Sequence, residues 1–191
     1  HGVVTRGAVV SEGVRGGFAL AYKVLSGFEE QGRARRGYFV TGLGAAQFAT
    51  GATVDRLRAF TRDPEAPPEL RALVLSATDP ANPYGAALGW PRLDDDAKGH
   101  RPGRKAGALV VIVDGTLALY VERGGKSVLT FTDDPDTRRA ATLELADVVR
   151  RHIGRMRVER VDGEFAVGTA LGSLLVDAGF AATPQGLRLR A

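Results

Sequence analysis

Three arginines within four positions, Arg33, Arg35 and Arg36, with Tyr38 two residues further on, are the side chains of this sequence best suited to hold a polyanion. On a short β-ribbon such guanidinium groups reach the phosphates beside a groove occupied by the preceding helix. Alternation along a strand sends Arg35 and Arg36 to opposite sides, so the two cannot grip one surface together. A pairing with Glu29 or Glu30 would leave the cluster merely solvated. Lys23 falls on the outer face of the helix before the ribbon, and Arg15 stands where a helix N-terminus could meet a phosphate.

The remaining chemistry-bearing runs point to structure. Gly124-Gly125-Lys126-Ser127 looks like the end of a phosphate-binding loop, but the glycine that should open the motif is Tyr120, and the segment lies between two strands. It reads as a hairpin turn. Gly42-Leu-Gly44-Ala-Ala-Gln47 lacks the last glycine of a dinucleotide fingerprint and opens no βαβ unit. Asp133 and Asp134 could work as paired carboxylates, yet their place just ahead of Pro135 suits helix capping better. Asp94, Asp95 and Asp96 form an acidic run in a loop, a weak metal candidate. His1, His100 and His152 show no ligand spacing, and His152 fits a helix C-terminus. The sequence holds neither a Gly-x-Ser-x-Gly elbow nor a His-Glu-x-x-His pair.

The elements that must position the basic ribbon can be read from periodicity. Thr5 to Glu12 predicts a short helix. Gly16 and Gly17 break it, and Phe18, Tyr22, Leu25 and Phe28 recur at helical spacing up to Gly32, leaving Ala19, Lys23 and Ser26 outside. Arg33 to Val40 reads as a strand, Thr41 to Gly44 as a turn, Ala45 to Phe48 as a returning strand, and Thr53 to Phe60 as a closing helix. Helix, glycine turn, amphipathic helix and basic ribbon follow the winged helix-turn-helix order.

Prolines crowd 63–71, which marks a linker between a winged-helix domain at 1–62 and an α+β module at 72–191. The second part predicts strands at 73–78, 106–113, 116–122 and 127–132, a long loop at 79–105, and a helix capped by Asp133 or Asp134 and ended by Gly154. A strand over 155–161, an Asp162-Gly163 turn, a helix from Thr169 to Gly179 and a strand over 186–190 follow. The expected fold is therefore α+β: a winged helix-turn-helix followed by a small β-barrel or sheet module with flanking helices.

Composition narrows the function classes. The chain has 191 residues, 44% apolar and 25% charged, and no cysteine, which removes disulfides, thiolate metal sites and a cysteine nucleophile. Its longest apolar run, Ala108 to Val113, is far short of a membrane span, so no membrane partner is expected. It begins at His1 with no signal-peptide pattern and reads as a fragment, so its parent's chemistry is expected elsewhere. Residues 1–62 hold nine basic and four acidic side chains, a net +5 against +4 for the whole chain. The remainder, with 17 basic and 18 acidic residues, is close to neutral and reads as a surface for protein contacts rather than a second grip on DNA.

Several runs resemble the C-terminal region of the bacterial large helicase-related family. They are Gly16-Gly-Phe-Ala with Tyr22, Arg35-Arg-Gly-Tyr-Phe-Val40 leading into Gly42-Leu-Gly-Ala-Ala-Gln-Phe48, Leu75-Ser-Ala-Thr-Asp-Pro-Ala-Asn-Pro-Tyr-Gly85, and Gly103-Arg-Lys-Ala-Gly107 with Tyr120-Val-Glu-Arg-Gly-Gly125. The resemblance implies a large ATP-dependent DNA repair helicase whose motor domains, with their ATP and magnesium, lie upstream. It also implies a C-terminal half similar to AlkZ-type DNA glycosylases, built of winged helices and a β-barrel-like module, and associated with self-assembly.

The motor motifs are absent here, and no cofactor is expected in this segment. The leading expectation is thus a DNA-binding and assembly module, not catalytic by itself, in the cytoplasm with the nucleoid. Its expected partners are DNA, the rest of the parent helicase and further copies of itself. The alternative is a contribution to a glycosylase-like site, where a carboxylate activates water beside an extruded base. Asp79 is the residue to test for that role, although Asp79 and Asn82 equally suit a proline-fixed loop that bonds its own backbone.

Overall fold

The computed structural model describes residues 1–44, 46–61, 70–91 and 101–191. Arg62, most of the proline-rich linker, the Asp94–Asp96 run and His100 lie outside the described residues. The chain divides into two compact units, His1–Pro68 with Pro83–Gly89, and Glu69–Asn82 with Trp90–Ala191.

In the first unit, β1 (Val3–Val4) leads into α1 (Arg6–Ser11) and α2 (Gly17–Glu30), followed by β2 (Arg35–Gly37), β3 (Gln47–Ala49) and α3 (Gly51–Ala59). Thr5 caps α1 by accepting the Ala8 N–H at 3.1 Å, and Thr50 caps α3 through the Thr53 N–H. The three strands form an antiparallel sheet in the order β1-β3-β2. Val3, Ala49 and Val54 make its core with Phe39 and Val40 packed against them.

Helix α2 turns the expected Phe18, Tyr22 and Leu25 toward the unit and leaves Ala19 and Lys23 exposed; the departure is Ser26. Ser26 turns inward, whereas Leu20 and Val24 point out and are about half exposed, at 50% and 49%. The edge-to-face contact of Tyr22 with buried Phe48, centroids 5.5 Å apart, sets the expected apolar stripe against the sheet. Within the unit, Pro83–Gly89 forms a hydrogen-bonded turn whose Ala87 carbonyl lies against Gly7. A Cβ there would come within 2.6 Å of that oxygen, so α1 needs glycine at this point.

The second unit carries β4 (Ala72–Ser76), β5 (Leu109–Val113), β6 (Thr116–Val121), β7 (Ser127–Thr130) and α4 (Pro135–Val148). A π-helical turn, Val149–Ile153, extends α4 to Gly154. Then come β8 (Arg155–Val158), β9 (Arg160–Val161), β10 (Glu164–Phe165), α5 (Ala170–Asp177), β11 (Ala181–Thr183) and β12 (Gly186–Arg190). The strands form a six-stranded sheet, β10-β9-β7-β6-β5-β4, and a three-stranded sheet, β11-β12-β8. No closed barrel exists among the described residues. The single strand expected over 155–161 breaks at Glu159, where the N–H groups of Glu159 and Arg160 both donate to the Lys126 carbonyl. Its first half joins β12 and its second half runs parallel to β7, which yields two open sheets.

The Asp-Gly turns behave as the sequence implies: Asp114 and Gly115 have φ of 47° and 83°, and Asp162 and Gly163 have 51° and 89°. Paired positive φ values match the primed turns that suit the twist of a hairpin. The Asp162 carboxylate also accepts the Thr130 N–H at 2.8 Å and its hydroxyl at 2.7 Å, tying the turn to β7. Leu145 of α4 and Leu175 of α5 are fully buried in one cluster with Val158 and Leu187.

Candidate nucleic-acid interface

The ribbon places the predicted side chains unequally. Arg36 sits opposite Phe48 in the register and turns back onto α2, where its Nε lies 3.3 Å from Glu29 and its Nη1 donates to the Tyr22 hydroxyl. Its guanidinium also lies 5.9 Å from the Tyr22 ring centroid. An exposed pair of this kind contributes at most about 1 kcal/mol. It nonetheless occupies Arg36 as a brace between wing and helix. Arg35 points the other way, is exposed, and has no ion-pair partner among the described residues. Arg33 stacks at 4.9 Å from the Phe28 centroid, which leaves the edge of its guanidinium fork open.

Lys23 on α2 and Arg15 ahead of it are likewise exposed and unpaired among the described residues. Tyr38, at the base of the loop joining β2 and β3, is 76% exposed. The outer face of α2 beside Lys23 carries Ala19, Leu20 and Val24, which offer no hydrogen bonds to base edges. This geometry suits contact with phosphates.

Gln47 holds the wing in place. It is fully buried, and its Oε1 accepts the N–H groups of Phe39 at 3.1 Å and Val40 at 2.8 Å. Its Nε2 donates to the carbonyls of Val40 at 2.8 Å and Gly44 at 2.7 Å. These four bonds draw Phe39 and Val40 out of the strand expected over 33–40, which shortens β2 to three residues. Sequence reasoning did not single out Gln47. Its place beside a glycine-rich turn, directly before the apolar Phe48 and Ala49, was the available signal.

The other sequence candidates fall into structural positions. Gly124 and Gly125 form the hairpin turn between β6 and β7, and a Cβ on Gly125 would meet the Met156 side chain at 2.6 Å. Asp134 caps α4, its Oδ2 accepting the Thr137 N–H at 2.8 Å; the Thr137 hydroxyl and then its amide hold this carboxyl below its ordinary pKa. Asp133 pairs with Arg138. Asp79 accepts the Ala81 N–H at 2.8 Å, and Asn82 donates to the Ala77 carbonyl at 2.9 Å. Arg104 clasps the same turn through the carbonyls of Thr78, Asp79 and Asn82. Among the described residues no cluster of side chains could hold a metal ion, and no helix is long and apolar enough to cross a membrane.

Residues 1–69 match the winged-helix domain of the large helicase-related protein. The whole chain is 54% identical over 200 residues to a protein of Mycolicibacterium smegmatis named Lhr helicase/probable uracil glycosylase. The chain belongs to the large helicase-related family. An Escherichia coli K12 protein named Lhr helicase/uracil glycosylase is 36% identical over 189 residues, 98% of the chain. The chain spans only 13% and 12% of the length of these two large helicase-related proteins. The expected family is thus the observed one, and the first unit is its winged-helix domain.

Proposed function

We propose that this segment is a DNA-binding and assembly module of an ATP-dependent DNA repair helicase, not catalytic by itself, that holds DNA through phosphate contacts of its wing. One observation carries the reading: the buried Gln47 clamp fixes a ribbon from which Arg35 and Tyr38 project outward while Arg36 braces α2. Arg33, Lys23 and Arg15, without ion-pair partners among the described residues, add positive charge to the same unit. ATP and magnesium belong to the parent's motor domains, the remainder of the parent and further copies are the other partners, and the setting is the cytoplasm with the nucleoid.

Fluorescence anisotropy with a labelled duplex tests the asymmetry. Arg35→Ala is expected to weaken binding roughly tenfold, about 1.4 kcal/mol. Arg36→Ala is expected to weaken it clearly less, because that guanidinium is already engaged. Equal losses, or a larger loss for Arg36→Ala, contradict this assignment.

A second reading is favoured by the names of both relatives, which include uracil glycosylase. Here Asp79 would activate water beside an extruded base, although its Oδ1 already serves the turn at 75–85. Incubation of the longer C-terminal half with uracil-containing duplex decides it. Abasic product lost on Asp79→Asn supports the reading, and absence of product removes it.

A further inference from the structure

The near-zero net charge of the second unit conceals a segregation that only the strand register reveals. In the β11-β12-β8 sheet, Arg188 of β12 lies directly opposite Arg157 of β8, and Arg190 lies opposite Arg155. The alternating residues Met156, Val158, Leu187 and Leu189 are buried, so all four arginines share the outer face. They line or adjoin an open depression of about 550 Å³ bordered by Gly124, Thr183, Pro184 and Gln185. Ala181, paired with Arg188, is small and exposed, which leaves the approach clear.

Countercharge is sparse. Arg157 lies 2.6 Å from Glu159 and donates to Gln185 at 2.6 Å, while Lys126 reaches the same Glu159 at 3.7 Å. Arg155, Arg188 and Arg190 have no ion-pair partner among the described residues. Like charges directly opposite across a strand pair destabilise a sheet. Arg155 and Arg190 face each other without countercharge, and in the neighbouring pair only Arg157 is neutralised, by Glu159; violations of this kind concentrate at functional sites.

We propose that this sheet face is a second nucleic-acid surface, which binds the phosphodiester backbone of a strand. Residues two apart on a strand are spaced by roughly 6.6 Å and opposed strands by about 5 Å, so the four guanidinium forks form a regular array suited to successive phosphates. Arginine at every position favours bidentate phosphate contact over diffuse attraction. Strands β8, β11 and β12 carry no aromatic residue, so the array itself contacts the backbone, independent of sequence; the exposed Phe165 lies off these strands, in an adjoining depression that shares Arg157 and Gln185. The surface lies wholly in the second unit, and its existence does not depend on the wing.

The test uses the full chain and its single methionine. Met156 lies between Arg155 and Arg157 in β8 and borders the depression, so its backbone amide resonance in a 15N-methionine sample is a unique local reporter. Titration with duplex and with single-stranded oligonucleotide is expected to shift this resonance in wild type and in an Arg33→Ala/Arg35→Ala wing variant. An R155Q/R188Q/R190Q variant is expected to lose the shift, to lower the salt slope of binding by about 2 to 3, and to unfold at the same or a higher temperature. A charge-matched control, R101Q/R123Q/R139Q, should retain the shift and most of the slope. An unmoved Met156 resonance overturns the proposal. So does an equal loss of slope in the control. Loss of polyglutamate binding with an unchanged DNA slope assigns the face to an acidic protein and overturns it equally. Wing variants that bind DNA normally while the sheet variant does not would remove the wing reading and leave this one standing.

Discussion

Gln47 shows how much of the candidate interface depends on one side chain that never touches the ligand. Its carboxamide accepts the amides of Phe39 and Val40 and is itself fully buried. Removing it leaves two part-buried donors without this acceptor, at up to about 1–3 kcal/mol each. Gln47→Leu is therefore expected to destabilise the winged-helix unit by roughly 2–4 kcal/mol in urea unfolding, and to accelerate hydrogen exchange at residues 39 and 40. Unchanged exchange there would show that the loop is held by something else. Asp134 gives a pH-dependent counterpart. Its carboxyl is held below the ordinary value of about 4 by the Thr137 hydroxyl and amide. The stability it contributes is complete above that ordinary value and is lost as the pH falls through the depressed one. Acid unfolding followed by helicity should be shallower below pH 4 for Asp134→Asn than for wild type.

At the level of elements, the legible parts were those with local causes. Thr5, Asp134 and Thr169 at helix starts and Asp-Gly at two turns announced themselves, because capping and positive φ are decided by neighbouring residues. The strands β1, β10 and β11 were not legible, since two or three residues are too few to show alternation. The break of 155–161 into β8 and β9 depends on the Lys126 carbonyl from a distant turn, and with it went the expectation of a barrel. At the interface, the divergence of Arg35 and Arg36 followed from strand alternation, whereas the arginine array could not be seen because antiparallel pairing of remote segments creates it. Helix α5 supplies a test in which two local effects oppose each other. Alanine at Gly172 would gain about 1 kcal/mol of helix propensity. Its Cβ, however, would lie 2.0 Å from the Ala166 carbonyl oxygen. The contact should dominate, so Gly172→Ala is expected to lower stability by about 1–3 kcal/mol. A rise in melting temperature would show that the 166–172 turn yields freely.

At the scale of the whole molecule, the placement of positive charge underlies the proposed role. The winged-helix unit carries its excess openly in sequence, while the second unit, balanced in composition, gathers Arg155, Arg157, Arg188 and Arg190 on one sheet face. The proposed role is to hold a strand that other domains act on. The most direct measurement is the affinity of the chain for a short duplex across a series of salt concentrations, with Lys23, Arg33 and Arg35 changed together to alanine. Each phosphate contact contributes about 0.9 to the slope of log affinity against log salt. The triple change is expected to lower the slope by about 2 to 3 while the unfolding temperature stays the same. A slope identical to that of wild type, or a chain that fails to bind the duplex even at low salt, would contradict the proposed role.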